Sequence, residues 1–332
     1  MHIRNRREIR LQADRALADA CNPGKIALFY GLFNVGLALV TTLISVWLNN
    51  GISESGGLGG IGLRSVLDTG QTFLPIVQMV ISACLGLGYQ YAILNIVRRK
   101  SADTRSLLEG FRRFAPLFGA NALQFLIYIL LGILSMYASI SIFLATPLAN
   151  EFLALAEPLV ASGSVLNDPS VLMNDAQILA MAESLKGSLW IFAAVFALLV
   201  IPVYFRFRMT AFILADDPCR PGFVALLQSR RLLRRNCINL LKLDLSLWWY
   251  YLAQLLAAAV CYGDTLLPAV GIALPWDATF SFYFFFAVYL ILQMLIYCFA
   301  LNRVTAVYAV AYDALKESAE ASVRQMIPQN PA

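Results

Sequence analysis

The sequence predicts an all-α fold: a polytopic membrane helical bundle with six transmembrane helices arranged as three hairpins and with basic amphipathic helices at the interface. Apolar residues make up 60% of the 332 residues, against roughly 45–50% in soluble domains. Charged residues make up only 14%, where about 25% is usual. Since a soluble fold has too little interior to bury so much apolar surface, we expect lipid to solvate much of the chain.

Six apolar runs are each long enough to cross a hydrocarbon core of about 30 Å as helices. They divide the chain into a basic amphipathic helix at 1–25, a membrane domain at 26–317 and a short polar tail at 318–332. The predicted spans lie at 26–48, 72–97, 116–144, 189–215, 240–262 and 279–315.

The basic residues predict the orientation. If the loops alternate across the membrane from a cytoplasmic N-terminus, 23 of the 25 lysines and arginines fall on the cytoplasmic side, and only Arg64 and Lys186 fall outside. Cytoplasmic loops of membrane proteins carry this excess of basic residues. We therefore expect both termini to be cytoplasmic.

Three basic segments, at 5–20, 104–118 and 222–236, have amphipathic helical patterns. Such helices next to a span usually lie in the lipid interface. In the third segment the predicted arginine stripe consists of Arg230, Arg231, Arg234 and Arg235, and the predicted buried side of Leu226, Leu227, Leu232 and Leu233. Near an anionic membrane each arginine of the stripe is worth about 1 kcal/mol. The stripe is thus a candidate contact for anionic lipid headgroups, although fixing the topology is the default explanation and needs nothing more.

The longest polar interruption, at 146–186, carries five acidic residues and a single lysine. Two helical patterns are visible in it, separated by Gly163 and by Asn167-Asp168-Pro169. This indicates an outer helical loop, either a lid or a hairpin that lies along the membrane.

Asp244 is the most distinctive single residue, because the fifth predicted span places it one turn inside the membrane. A carboxylate at the membrane centre costs roughly 2.5–3.5 kcal/mol on insertion scales and less near the edge, so it is expected to find a cation. Arg206, Arg208 and Arg303 lie at a similar depth. We predict that Asp244 pairs with one of them as a structural pin, the alternative being a proton or substrate site.

Asp216 and Asp217 stand before Pro218 at the exit of a predicted helix. Capping and turn formation explain them, while a paired carboxylate site for Mg²⁺ is the alternative. The only histidine is His2, and the six cysteines match no metal or redox spacing. The glycine-rich segment 56–62 lacks the Lys-Ser/Thr of a phosphate loop. We expect no cofactor and no metal.

Several stretches carry a family resemblance: REIRLQADRAL, then GLGYQYAILNIVRR followed by LLEGFRRF, then FILADDP, ALLQSRRLLRRN, LKLDLSLWW and a closing VYAVAYDAL. On these residues the chain resembles the bacterial membrane family catalogued as domain of unknown function 975, over most of its length except the outer loops. The glycine-rich turn expected between the last two spans is replaced by CYGDTLLPAVGIALPWDA. The resemblance implies an integral-membrane bundle in the bacterial cytoplasmic (inner) membrane and no established activity.

No GxSxG, HExxH or paired membrane aspartates occur, and the sequence therefore does not predict an enzyme. The first interpretation is a non-enzymatic membrane scaffold, interaction or envelope factor. Its expected partners are the lipid bilayer, anionic lipid headgroups and an unknown membrane protein or a second copy of the chain, but not nucleic acid. The alternative is a transporter or lipid-handling protein with a polar path near Asp244.

Overall fold

The computed structural model of the chain describes residues 6–20, 22–54, 61–147, 149–150, 152–154, 176–234, 236–269 and 275–326. Within these ranges every regular element is a helix and no strand occurs. The prediction of an all-α fold is therefore confirmed for the described part of the chain.

The α-helices are numbered here in chain order. They are α1 Arg6–Ala18, α2 Pro23–Glu54, α3 Ile61–Val97, α4 Glu109–Arg112, α5 Phe114–Leu144, α6 Ala176–Phe207, α7 Thr210–Asp216, α8 Gly222–Leu233, α9 Cys237–Ser246, α10 Trp248–Cys261, α11 Gly263–Ala269, α12 Ala278–Ile296 and α13 Asn302–Met326. A 3₁₀ turn at Thr104–Leu108 precedes α4, and a π-helical turn at Tyr297–Leu301 joins α12 to α13.

Five stretches of the described helices are long and apolar enough to cross a membrane, and a bent pair formed by α9 and α10 raises the number to six. The five are Pro23–Asn49, Thr69–Val97, Phe114–Leu144, Gly187–Asp216 and Thr279–Ala321. Each overlaps one predicted span. The described part of the chain is therefore helical, with five or six helices suited to the membrane.

The fifth predicted span, 240–262, differs from the expectation of a continuous helix, because α9 and α10 meet at an angle of 64°. At the bend the Ser246 hydroxyl donates to the carbonyl of Leu243, and the amide of Leu247 donates to the carbonyl of Asp244. Both bonds span three residues instead of four, which tightens the last turn of α9 and bends the helix.

The chain forms two compact units. The first is Met1–Ala120 together with Arg208–Ala332, and the second is Asn121–Phe207. In the second unit α5 approaches α6 at Gly132, where an added Cβ atom would stand 3.8 Å from the Phe196 ring. Other apolar side chains of this unit, such as Leu198, are largely exposed. Such extended apolar surfaces are typical of proteins that face lipid.

Helix α13 is the central element of the first unit. Residues 304–312 are all buried, so this part of the helix is covered on every side. Helices α1, α3 and α8 pack against it. Helix α1 contributes Ile9 and Ala13 from its predicted apolar face, and it therefore packs on protein as well as standing next to a span.

Glycines allow the basic segments to approach the span ends closely. A Cβ atom at Gly88 of α3 would overlap the backbone of Leu107, and one at Gly110 of α4 would overlap the backbone of Cys84. The 3₁₀ turn and α4 therefore pack directly on the C-terminal part of α3. Arg98, a residue of the candidate site, directly follows this helix.

The predicted outer loop 146–186 falls mostly outside the described residues. Its described final part belongs to α6, which starts at Ala176 and continues without a break into the fourth span. The division at residues 163–169 lies outside the described ranges.

Candidate functional site

Arg208 and Asp244 form an ion pair in the first unit, with 2.8 Å between guanidinium and carboxylate. Only 14% of the Arg208 side chain and 9% of the Asp244 side chain are exposed. Arg208 stands in the turn between α6 and α7, and Asp244 lies on the buried face of α9 beside Leu240 and Leu243. The predicted pairing of Asp244 with one of three arginines is thus confirmed, and the partner is Arg208.

Two tyrosine hydroxyls complete this Asp244 cluster. Arg208 donates to the hydroxyl of Tyr251 at 2.7 Å and to that of Tyr308 at 2.6 Å. The Tyr308 hydroxyl donates to the Asp244 carboxylate. The cluster therefore joins α9, α10 and α13 to the turn before α7.

The other two candidate arginines are placed differently. Arg303, at the start of α13, pairs with Asp14 of α1 at 2.7 Å, so it ties the N-terminal helix to the centre of the unit. Asn302, which precedes Arg303 in the chain, accepts a hydrogen bond from the Tyr89 hydroxyl at 2.6 Å and donates to the carbonyl of Pro23. Arg206 belongs to the second unit.

A second cluster is centred on Arg98 at the end of α3. Arg98 contacts the Asp216 carboxylate at 2.5 Å and the Asp313 carboxylate at 2.6 Å. Asp216 also accepts hydrogen bonds from Lys316 at 2.6 Å and from the Tyr312 hydroxyl at 3.1 Å. Because the acceptors lie on α7 and α13, this Arg98 cluster holds α3, α7 and α13 together.

Electrostatics favour the charged form of Arg98. Burial opposes that charge, but the hydrogen bonds that Arg98 donates to the Asp313 and Asp216 carboxylates outweigh burial, and the pKa of Arg98 lies above its ordinary value. Arg98 does not stand out in the sequence, because Arg98-Arg99-Lys100 has the pattern of a stop signal after a span. The available signal was Asp313 in the buried stretch VYAVAYDAL, which needs a cation for the same reason as Asp244.

The two helix-exit carboxylates, Asp216 and Asp217, line the same cavity of about 280 Å³ but have different partners. Asp216 belongs to the Arg98 cluster, whereas Asp217 accepts from Arg220 at 3.0 Å and from the amide of Cys219 at 3.2 Å. The Asp217 contacts are those of a turn, as predicted. The Mg²⁺ alternative needs both carboxylates on one ion, and these contacts do not support it.

Arg113 is a buried arginine that the sequence analysis did not single out. Its guanidinium donates to the carbonyls of Leu214 and Ala215, at 2.9 and 2.5 Å, and lies 4.5 Å from the centre of the Tyr91 ring. These carbonyls belong to the last turn of α7, where a cation also interacts favourably with the helix dipole. Arg113 therefore fixes α7 beside α3.

The arginine stripe of α8 is exposed at Arg230, Arg231 and Arg234, while Arg235 lies outside the described residues. Leu226 and Leu233 are buried as predicted, but Leu227 is exposed, and that part of the prediction is wrong. Leu227 lies one turn after exposed Phe223, on the face that continues to the arginines. Apolar and basic side chains thus share one outward face, the pattern of an interfacial helix.

Comparison of the chain with protein-family models, with curated proteins and with solved structures finds no match. The contacts of the two clusters and of α8 are therefore the observations from which a function can be inferred.

Proposed function

We propose that the chain is a multi-pass protein of the bacterial cytoplasmic membrane, with six spans in three hairpins and both termini in the cytoplasm. The bent pair α9 and α10 supplies the sixth span in this proposal. The asymmetry of the basic residues supports the orientation. Membership of the family catalogued as domain of unknown function 975, on the stretches quoted above, is part of the same proposal.

In this membrane the protein acts as a non-enzymatic scaffold, interaction or envelope factor. The observation that carries this proposal is the Asp244 cluster, in which the carboxylate is paired with Arg208 and hydrogen-bonded to Tyr308. A carboxylate with these partners joins helices, and a proton or substrate would have to displace them. A cleft of about 950 Å³ and a smaller cavity of about 280 Å³ in the first unit are lined by other residues.

The surface offered to a partner is the outward face of α8, where Phe223 and Leu227 lie in line with the arginine stripe. Arginine and aromatic side chains are enriched at protein interfaces, and the same combination suits anionic headgroups. The partner in this proposal is a membrane protein or a second copy of the chain, held beside anionic lipid.

Site-specific photo-crosslinking in living cells tests the scaffold. A photoreactive residue at Phe223 should give one discrete protein adduct, whereas the same residue at Leu198, which is also exposed and apolar, should give lipid adducts. An adduct of twice the chain mass identifies a second copy as the partner. Only lipid adducts at both positions would contradict the scaffold.

The transporter or lipid-handling alternative has one observation in its favour, the buried charged and hydroxyl groups around Asp244. Assays of proton flux and of lipid movement between leaflets, made on proteoliposomes, distinguish this alternative from the scaffold function. The scaffold predicts background rates for the natural chain. Rates above background that disappear in Asp244→Asn would favour the alternative.

A further inference from the structure

A second basic surface lies far along the chain from the arginine stripe. An open cleft of about 950 Å³ is formed where α1 passes into α2 and where α3 passes into the 3₁₀ turn. Four basic residues and two acidic residues line it: Lys25, Arg99, Lys100, Arg105, Asp19 and Asp103. The lining therefore has an excess of positive charge, and an anion is the ligand that this basic cleft favours.

The backbone of the basic cleft is unusual. Asn22 has φ of 63° and Arg99 has φ of 57°, in the left-handed region. In the described part of the chain these are the non-glycine residues with positive φ, and both line the cleft. At Arg99 this conformation ends α3: the amide of Arg99 donates to the carbonyl of Ile96 at 2.9 Å and the amide of Lys100 donates to the carbonyl of Asn95 at 2.8 Å, a common C-terminal helix cap. This capping turn directs Arg99 and Lys100 to the cleft.

The cations of the cleft are available to a ligand. Arg99 is 83% exposed, and its distance of 3.7 Å from Asp19 is at the long end for an ion pair. Lys100 and Arg105 are also exposed. By contrast, neighbouring Arg98 is only 24% exposed and belongs to the Arg98 cluster. Arg98 thus packs inside the unit, whereas the next residue, Arg99, belongs to the exposed basic surface.

The position of the cleft favours a ligand that is part of the membrane. Lys25 and Ile26 line the cleft, and the apolar span begins at the same place, because Pro23–Asn49 contains them. The other wall follows the end of the span Thr69–Val97. Leu28 and Phe29 are exposed within one turn of Lys25, so apolar surface starts directly next to the basic surface.

We infer that the basic cleft binds the phosphate-bearing headgroup of an anionic membrane lipid, whose acyl chains lie along the exposed apolar surface of α2. Lys25, Arg99, Lys100 and Arg105 provide cations for the phosphate oxygens, as is usual in phosphate recognition. This lipid is distinct from any lipid at the arginine stripe. The inference requires the membrane placement and is independent of the scaffold function.

The test compares two variants with the same loss of charge. Arg99→Gln/Lys100→Gln/Arg105→Gln removes three cations of the cleft, and Arg230→Gln/Arg231→Gln/Arg234→Gln removes three exposed cations of α8. Native mass spectrometry of detergent-purified protein measures binding of short-chain phosphatidylglycerol, with phosphatidylcholine as the neutral probe. At roughly five-fold per charge, the cleft variant should bind the lipid of the cleft on the order of 100-fold more weakly. The α8 variant should keep this bound lipid and lose only lipid that the arginine stripe holds.

A third variant, Arg99→Lys/Arg105→Lys, keeps the charge and should retain most of the binding. Thermal unfolding of all variants identifies any loss of fold. A separate experiment measures binding of inorganic phosphate and of glycerol phosphate. If these probes bind with the same dependence on Arg99, Lys100 and Arg105, the cleft is a phosphate site whose ligand comes from the cytosol and not from the membrane. Equal weakening in the cleft and α8 variants, or no preference for phosphatidylglycerol over phosphatidylcholine, would overturn the proposal.

Discussion

Arg208 and Asp244, 36 residues apart in the chain, form a buried ion pair with 2.8 Å between their charged groups. Arg208 lies in the turn between α6 and α7, and Asp244 lies on the buried face of α9, three residues before Leu247 at the 64° bend. An unpaired charge buried in this way would be costly, since packed side chains do not solvate it. The pair therefore determines how the bent α9–α10 segment is held in the first unit.

Asp244→Asn should lower the free energy of unfolding by about 3 kcal/mol, because it leaves the buried guanidinium of Arg208 without its counter-charge. Unfolding by denaturing detergent in mixed micelles measures the change. Asp217→Asn is the matched control: this side chain is 42% exposed and its pair with Arg220 is local. The control should change stability by less than about 1 kcal/mol.

The double variant Asp244→Asn/Arg208→Gln extends this prediction. Removing both charges removes the unpaired one, so the double variant should be more stable than Asp244→Asn alone. If the losses of stability in Asp244→Asn and in Arg208→Gln simply add in the double variant, the ion pair does not couple the helices. The interpretation of Asp244 as a structural pin would then be wrong.

The two adjacent arginines at the end of α3 should differ strongly in their effect on stability. Arg98→Gln leaves the Asp216 and Asp313 carboxylates without their shared cation and should cost about 2–3 kcal/mol of unfolding free energy. Arg99→Gln removes an exposed side chain with a long contact to Asp19 and should cost less than about 0.5 kcal/mol. Thermal unfolding in detergent measures both, and equal effects would show that the Arg98 cluster does not hold α3 to α13.

The spans could be predicted from the sequence because long apolar runs and the basic residues that bound them are local signals. The bend at Leu247 could not be predicted in this way. The segment LKLDLSLWW continues the helical pattern of apolar residues. The bend depends on the hydrogen bond that the Ser246 hydroxyl donates to the carbonyl of Leu243. A serine in a helix is compatible with both a straight and a bent backbone.

The sequence predicts that Asp244 pairs with one of three arginines, because a carboxylate inside a predicted span needs a cation. The choice among them depends on packing between distant segments. Arg303 pairs with Asp14, 289 residues away, because α1 lies on α13. Nothing in the local pattern of either segment encodes that contact, and the same holds for the bonds of Arg113 to α7.

Gly88→Ala tests the close packing of the 3₁₀ turn on α3. A methyl group there would overlap the backbone of Leu107, so α3 and the turn would have to separate. We expect a loss of about 1–3 kcal/mol in unfolding free energy. Gly119→Ala in α5 is the control, because no atom lies within 4 Å of the added Cβ. It should be neutral or stabilise the helix by about 0.5–1 kcal/mol, and a neutral Gly88→Ala would contradict the packing.

The proposed orientation predicts which single cysteines react from each side of the membrane. In a background without the natural cysteines, Arg112→Cys and Arg231→Cys should be labelled by a membrane-impermeant maleimide only after the cytoplasmic side is opened. Trp276→Cys, which precedes the last span, should be labelled in intact cells. Arg112, Arg231 and Trp276 are all exposed, so accessibility to the reagent depends on the side of the membrane.

This labelling also decides whether the bent pair α9 and α10 crosses the bilayer. Arg231 precedes the pair and Trp276 follows it, so opposite sides for these two residues mean one crossing. If both are labelled from the same side, the pair enters and leaves by one face and the number of spans is five. Arg112 and Arg231 on opposite sides would contradict the hairpin between them, because α5 and the segment Gly187–Asp216 would then account for an odd number of crossings.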